Sequence, residues 1–296
     1  MKSFLIRAMK ALHEPRKAVL KLLSNFKVKL IVVYLLLGIM CFFWLMPFYV
    51  AIVTSLKTHR ETYTTNVLQP PSQVYIGAWI EAWKRVSIPF FNSILVSIVS
   101  TVACVLIGAL GGYYLARFRF RGAEQLFFLI AIAAFIPYQV LLIPMTMLLA
   151  SLGLFGTHLG LILAYIMLFS PWAALISSAF FLAIPKDFEE AAFVDGASPL
   201  QTFFKVVLPI ALPGILSTTI IIFMNVWNEF FFAVSLITNP ALRTIQPEIA
   251  NLRGTTTVAW NTLMAGSIIG TLPPTIICLM LGRYFIRGLL AGTLKG

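Results

Sequence analysis

Charge is scarce in this sequence, and so is most of what reactive chemistry uses. Only 11% of its residues are Asp, Glu, Lys or Arg, against about 25% in soluble domains. That shortage excludes an ordinary water-soluble fold. Cys41, Cys104 and Cys278 stand far apart, with neither metal-site spacing nor a disulfide framework. His13, His59 and His158 are equally scattered and suggest no metal cluster or catalytic triad. No GxxxxGK[ST] phosphate loop is present, so this chain does not hydrolyse ATP by that route. No nucleophile, base and metal ligands converge, which counts against a membrane enzyme. The net charge of +12 comes without a compact basic domain carrying base-reading residues, so nucleic acid is not an expected partner.

What is abundant is apolar sequence, at 60% of the chain. Leu30–Leu56, Val86–Ala116, Gln125–Pro185 and Gly254–Gly282 contain no Asp, Glu, Lys or Arg. A membrane helix needs about 20 apolar residues, and the Gln125–Pro185 run holds two spans around the glycine-rich turn SLGLFGTHLG. With Gly214–Thr238, six spans are expected, near 31–55, 90–115, 127–149, 160–184, 214–238 and 262–284. The runs do not alternate as barrel strands do, so the fold class is all-α and multi-pass, in contact with membrane lipid. Lys and Arg gather on cytoplasmic flanks. With the N-terminus inside, the inner segments hold sixteen of them and the outer segments six, which sets both termini inside. Residues 1–29 form a basic cytoplasmic segment. They either lie on the membrane surface as an amphipathic helix broken at Pro15 or remain a solvated tail. They lack the small-residue cleavage site of a signal peptide.

One inner loop, about residues 185–213, breaks the oily pattern with EEAAFVDGASPLQTFFKVVLPIALPG (189–214). Pro185, Asp187, Glu189 and Glu190 suit a helix start, and Gly196 suits its stop. Ser198-Pro199-Leu200-Gln201 reads as a capping box that opens a second helix. That helix is expected to present Leu200, Phe203, Phe204 and Val207 on one face and to end at Leu208-Pro209, with Pro213 opening the next span. Helices this short are marginal alone in water. Phe188, Ala191 and Ala192 would let another protein approach the first helix closely. The pair is either a mechanical handle for a partner or an ordinary loop packed on its own bundle.

Glu190, Ala191, Ala192, Gly196, Val206, Leu208 and Pro209 stand in the order and spacing of the Glu-Ala-Ala loop, and the chain resembles the permeases of ABC importers. The NSI after Pro89, RFRFRGA, WNEFFFAV and the ending MAGSIIGTLPPTIICLMLGRYFIRGLLAGTLKG resemble their carbohydrate-uptake, MalG-like branch. The likeness runs from about residue 30 onward. It implies a type I ABC importer permease fold in the bacterial inner (plasma) membrane. It also implies a second, similar permease, a pair of ATPase subunits that hold ATP and Mg²⁺, and an extracytoplasmic solute-binding protein that delivers a carbohydrate. This chain itself would bind no cofactor. Glu190, Ala191, Ala192, Asp195, Gly196, Leu208 and Pro209 would couple the permease to the ATPase. The tail 287–296 would reach toward the ATPase pair, and the outer loop 239–260 toward the binding protein.

Inside the spans the only acid is Glu229, which falls with Asn225 and Asn228 at helical spacing on one face. Such groups are costly in a membrane core. They either line the substrate path or act as interhelical glue or a snorkelling acid near the outer end of the span. Trp227, Tyr138 and Trp172 are candidate platforms for a sugar. An ion-coupled secondary transporter is the alternative, but it would want more intramembrane acids and matching internal repeats. A permease for a non-sugar solute is the other.

Overall fold

The computed structural model describes residues 26–118, 120–254 and 257–293. Nearly all of the basic N-terminal segment therefore lies outside the described residues, as does the end of the tail. Among the described residues every regular element is a helix. α1 is Phe26–Ser55, α2 Glu61–Thr64, α3 Gly77–Arg117, α4 Ala123–Phe135, α5 Leu142–Ser151 and α6 His158–Ala183. α7 is Asp187–Val194, α8 Pro199–Thr202, α9 Leu208–Trp227, α10 Phe231–Leu236, α11 Ile245–Asn251 and α12 Trp260–Thr293.

Among the described residues five helices are long and apolar enough to cross a membrane. The expected span at 127–149 differs, since α4 and the segment from Tyr138 to Ser151 meet at a bend of 97°. Pro137 explains the break. It disfavours helical geometry in the preceding residue, and Ile136 is extended. The two halves still make one crossing. Phe118, just before them, lies with the inner loop, where Arg117 pairs with Glu189. Gly156 and His158, just after them, bond to the outer-side carbonyls of Leu236 and Leu242. The chain must cross between these points, so the described residues make six crossings.

α3 and α6 form the largest interface, built on small residues. Gly108 and Gly112 of α3 touch Ala173, Ala174 and Ser178 of α6 so closely that a Cβ at Gly112 would come within 2.5 Å of the Ala174 carbonyl oxygen. Without a hydrophobic drive between helices in lipid, such close backbone approach is what holds them. α3 has 41 residues, about 60 Å at 1.5 Å each, so its polar beginning projects beyond the outer surface. There Lys57, although only 1% exposed, is satisfied by Thr65 Oγ1 at 3.0 Å and the Asn66 carbonyl at 2.7 Å. The Asn261 side chain in turn donates to the Lys57 carbonyl, tying this outer corner to α12.

The second inner helix does not stop at Leu208-Pro209. Proline lacks an N–H, and its ring crowds the carbonyl four residues back. The helix absorbs this by widening to a π-turn over Phe203–Val207, with Leu208 N–H donating to the Phe203 carbonyl. α8, the π-turn and α9 therefore run on as one rod from the cytoplasm into the membrane, Pro199–Trp227. The turn also splits the expected apolar face. Phe203 and Val207 are buried, while Leu200 and Phe204 stay exposed.

Candidate coupling loop and translocation cleft

The inner loop is built from local rules. α7 begins at Asp187 rather than at Pro185 and carries Asp187, Glu189 and Glu190 in its first turn, where the helix dipole favours acids. It ends in a Schellman turn. Gly196 N–H bonds to Phe193 O at 3.0 Å and Ala197 N–H to Ala192 O at 3.0 Å, with Gly196 at φ +81°. The capping box then starts α8. Gln201 N–H donates to Ser198 Oγ at 3.3 Å, and Ser198 N–H donates to Gln201 Oε1 at 2.9 Å.

Adjacent residues on a helix point about 100° apart, and the two glutamates diverge accordingly. Glu190 is exposed, with Ala191, Asp195 and Gly196 also on the surface and Ala192 half-buried. Leu208 is half-buried and Pro209 exposed at the root of the rod. Glu189 turns inward. Its carboxylate lies 2.7 Å from Arg117 Nε at the end of α3, with side-chain exposures of only 7% and 4%. Tyr113 donates to its other oxygen at 3.3 Å, and Arg117 also donates to the Ile184 carbonyl at the end of α6. Sequence reasoning missed this node. Arg117 counted as one more inside charge, and Glu189 was overshadowed by its neighbour. The available signal was two acids in sequence, which a helix cannot aim at the same partner.

In the membrane the expected polar stripe is divided. α9 ends at Trp227 and Asn228 is already non-helical, so Glu229 cannot continue the face of Asn225 and Asn228. It folds inward, 5% exposed. Its carboxylate accepts from Phe232 N–H at 2.9 and 3.0 Å, from Ala233 N–H at 3.0 Å and from Tyr165 Oη–H at 2.9 Å. Glu229 thus satisfies the start of α10 and binds it to α6. Asn225 and Asn228 are exposed, and each donates its side-chain N–H to its own helix, to Ile221 and Met224. Their amide oxygens remain for other partners, and that of Asn228 accepts from Gln246 at 3.4 Å.

Tyr138, Phe169, Met224, Asn225, Asn228 and Glu229 line a cleft of about 330 Å³. A second, of about 460 Å³, shares Met224 and Asn228 and continues past Gln246 to Ser267, Thr271 and Thr275 of α12. Tyr138 lies in the first cleft, stacked on Phe232. Trp227 does not reach either. It is buried, donates to the Gly270 carbonyl at 3.0 Å and stacks on Phe223, so it packs the core instead of meeting a sugar. Trp172 is exposed on α6 and lines neither cleft.

Residues 105–290 match the family described as the inner membrane component of binding-protein-dependent transport systems. The chain belongs to this family. It is an inner-membrane, multi-pass permease subunit with the type I importer fold. The permease is 34% identical to the glucose import system permease protein GlcU of Saccharolobus solfataricus, over 87% of this chain and 92% of that one. It is 37% identical to the trehalose transport system permease protein SugB of Mycobacterium tuberculosis, over 69% and 76% of the two chains. Among solved structures it is similar to a chain of a bacterial ABC transporter involved in the import of the acidic polysaccharide alginate. There the TM-score is 0.75 and the identity 22%, over 88% of this chain and 97% of that one.

Proposed function

We propose that this permease is one half of a two-permease path for a carbohydrate. An extracytoplasmic binding protein hands the sugar over, and ATP with Mg²⁺ is hydrolysed on a separate pair of ATPase subunits. The observation that carries the reading is the inner loop. The short helix α7 and the cytoplasmic end of the α8–α9 rod lie beneath the bundle, yet Phe188, Phe193, Leu200 and Phe204 are exposed and Val194 is 87% exposed. Around this apolar tip stand the exposed acids Asp187, Glu190 and Asp195. A solvated loop has no reason to present such a surface, whereas a docking face for an ATPase with basic groups in its cleft does. Glu190 supplies the charge-assisted contact, and Gly196 sets the angle between the helices.

The clefts support a neutral, hydroxyl-rich cargo. Their walls combine the amides of Asn225, Asn228 and Gln246 with hydroxyls and the Tyr138 ring. The sugar relatives named above favour the same class. An ion-coupled mechanism is less well supported, because the one acid at the cleft already serves as a helix cap. The test is to purify the intact complex, measure the masses of its subunits, and identify the sugar whose binding protein stimulates ATP hydrolysis. Glu190→Lys should then leave the six spans inserted but release the ATPase or uncouple hydrolysis from uptake. A functional complex without any ATPase subunit would overturn the reading.

A further inference from the structure

The buried pair between Arg117 and Glu189 is not used by the docking surface just described. Its placement is unusual. Arg117 is the last residue of α3, Glu189 lies in the first turn of α7, and the Ile184 carbonyl that also receives Arg117 closes α6. One guanidinium thus holds the inner ends of the two most tightly packed spans and the first inner helix. Aromatic rings seal it. Tyr113 lies 5.6 Å from Phe181 and 5.0 Å from Phe203 of the π-turn, and the latter two are 5.9 Å apart. All three rings are fully buried. The node therefore also reaches the rod formed by α8, the π-turn and α9. A buried ion pair is weak as a source of net stability but strong in fixing one arrangement, because each charge strands the other if they part.

We propose that Arg117 and Glu189 are positioning residues that make α7 and the inner ends of α3 and α6 move as one rigid body. Displacement imposed on the inner loop is thereby delivered to the α3–α6 core and not absorbed by a loose hinge at Pro185. The proposal rests on the ATP-driven reading above, in which a partner moves this loop. It assigns the joint to a buried side-chain pair, distinct from the surface residues that meet the partner.

The test uses the full transport complex in vesicles, with Cys41, Cys104 and Cys278 replaced by alanine. Spin labels are placed at Ala197, half-buried just past the turn that ends α7 and outside the docking face, and Leu182, exposed near the end of α6. The interlabel distance is measured without nucleotide and after trapping with Mg-ATP and vanadate. In the parent complex a single narrow distribution is expected, unchanged between the two states. R117Q and E189Q should broaden it and make it depend on nucleotide. The exchanged pair R117E/E189R should narrow it again, which a role in folding alone would not produce. If R117Q does not assemble, R117K takes its place, since it keeps the charge but loses the fork that also reaches Ile184. A narrow, nucleotide-independent distribution in whichever of these variants assembles overturns the proposal. Failure of the wider reading looks different, because the parent complex would then show no Mg-ATP hydrolysis.

Discussion

Replacing Glu229 separates two roles that sequence reasoning left open. In Glu229→Ala the N–H groups of Phe232 and Ala233 lose their acceptor and the Tyr165 hydroxyl is left buried without one. Loss of a helix cap costs about 0.5–2 kcal/mol. An orphaned buried hydroxyl costs about 1–3 kcal/mol more. The alanine variant should therefore be destabilised by roughly 1.5–5 kcal/mol, the sum of those two ranges. Glu229→Gln keeps one carbonyl oxygen for the helix start, and its amide N–H can donate to Tyr165. It exchanges charge-assisted bonds for neutral ones and should lose only about 1–2 kcal/mol. Thermal unfolding of the detergent-solubilised complex measures the order wild type, Gln, Ala, and vesicle uptake measured in parallel should follow the same order. An alanine variant as stable as the parent would refute the cap argument. A glutamine variant of parental stability that transports nothing would put the carboxylate to work on the path instead.

Other expectations follow from single contacts. Gly196→Val forces a β-branched residue to φ +81°, at a cost of about 1–3 kcal/mol. Nothing lies within 4 Å of the added Cβ, so Gly196→Asn should retain ATPase docking in a pull-down where valine loses it. Gly112→Val drives a side chain into the Ala174 carbonyl and Ser178 N–H of α6. Overpacking of about 1–3 kcal/mol should appear as a lower yield of folded permease on size-exclusion chromatography, while Gly111→Ala, facing open space, should be neutral. Outside the membrane, hydrogen bonds from the Ser72 hydroxyl and N–H and from Thr58 hold the Glu61 carboxyl down from 4.5 to about 2. A depressed acid supports the folded loop above its ordinary value and loses that support as pH falls from 4.5 toward 2. Ser72→Ala should therefore move the acid-induced rise in proteolysis of the 58–76 loop to higher pH.

The parts of this molecule readable in its sequence are those decided by composition over a window or by a short local motif. Charge-free runs announced the spans, since a long apolar run without barrel-type alternation satisfies its backbone in lipid as a helix. Ser198 and Gln201 announced their cap, and Gly196 its left-handed turn, because the partners in each case are within a few residues. The failures have one cause, which is that the deciding partner is distant or the defect is absorbed. Pro209 was expected to end a helix, but a π-turn took up the strain. Glu229 looked like a member of a helical stripe, but the helix ends one residue before Asn228. Trp227 looked like a sugar platform, but Gly270, on another span, leaves a carbonyl at the right distance. Arg117 and Glu189 meet only because α3 and α6 pack along a track of glycine and alanine.

That dependence bears on how the permease works. The close α3–α6 contact brings two backbones together at the inner surface, and only then do Arg117, Ile184 and Glu189 converge. On the outer side the same two helices hold the returning chain. Asn92 and Ser93 of α3 bind the carbonyls of Ala241 and Arg243 and the N–H of Ile245. His158 at the start of α6 lies 2.8 Å from the Leu242 carbonyl. The α3–α6 pair is thus clamped at one end to the inner loop and at the other to the segment that leads into α11. Asn228, which lines both clefts, meets Gln246 of α11. On the proposed reading, a push on the inner loop that tilts α3 and α6 together would also carry α11 past the end of α9, where the amides stand. Such a linkage requires no flexible relay inside the membrane. It requires only that the helices be stiff and their end contacts specific.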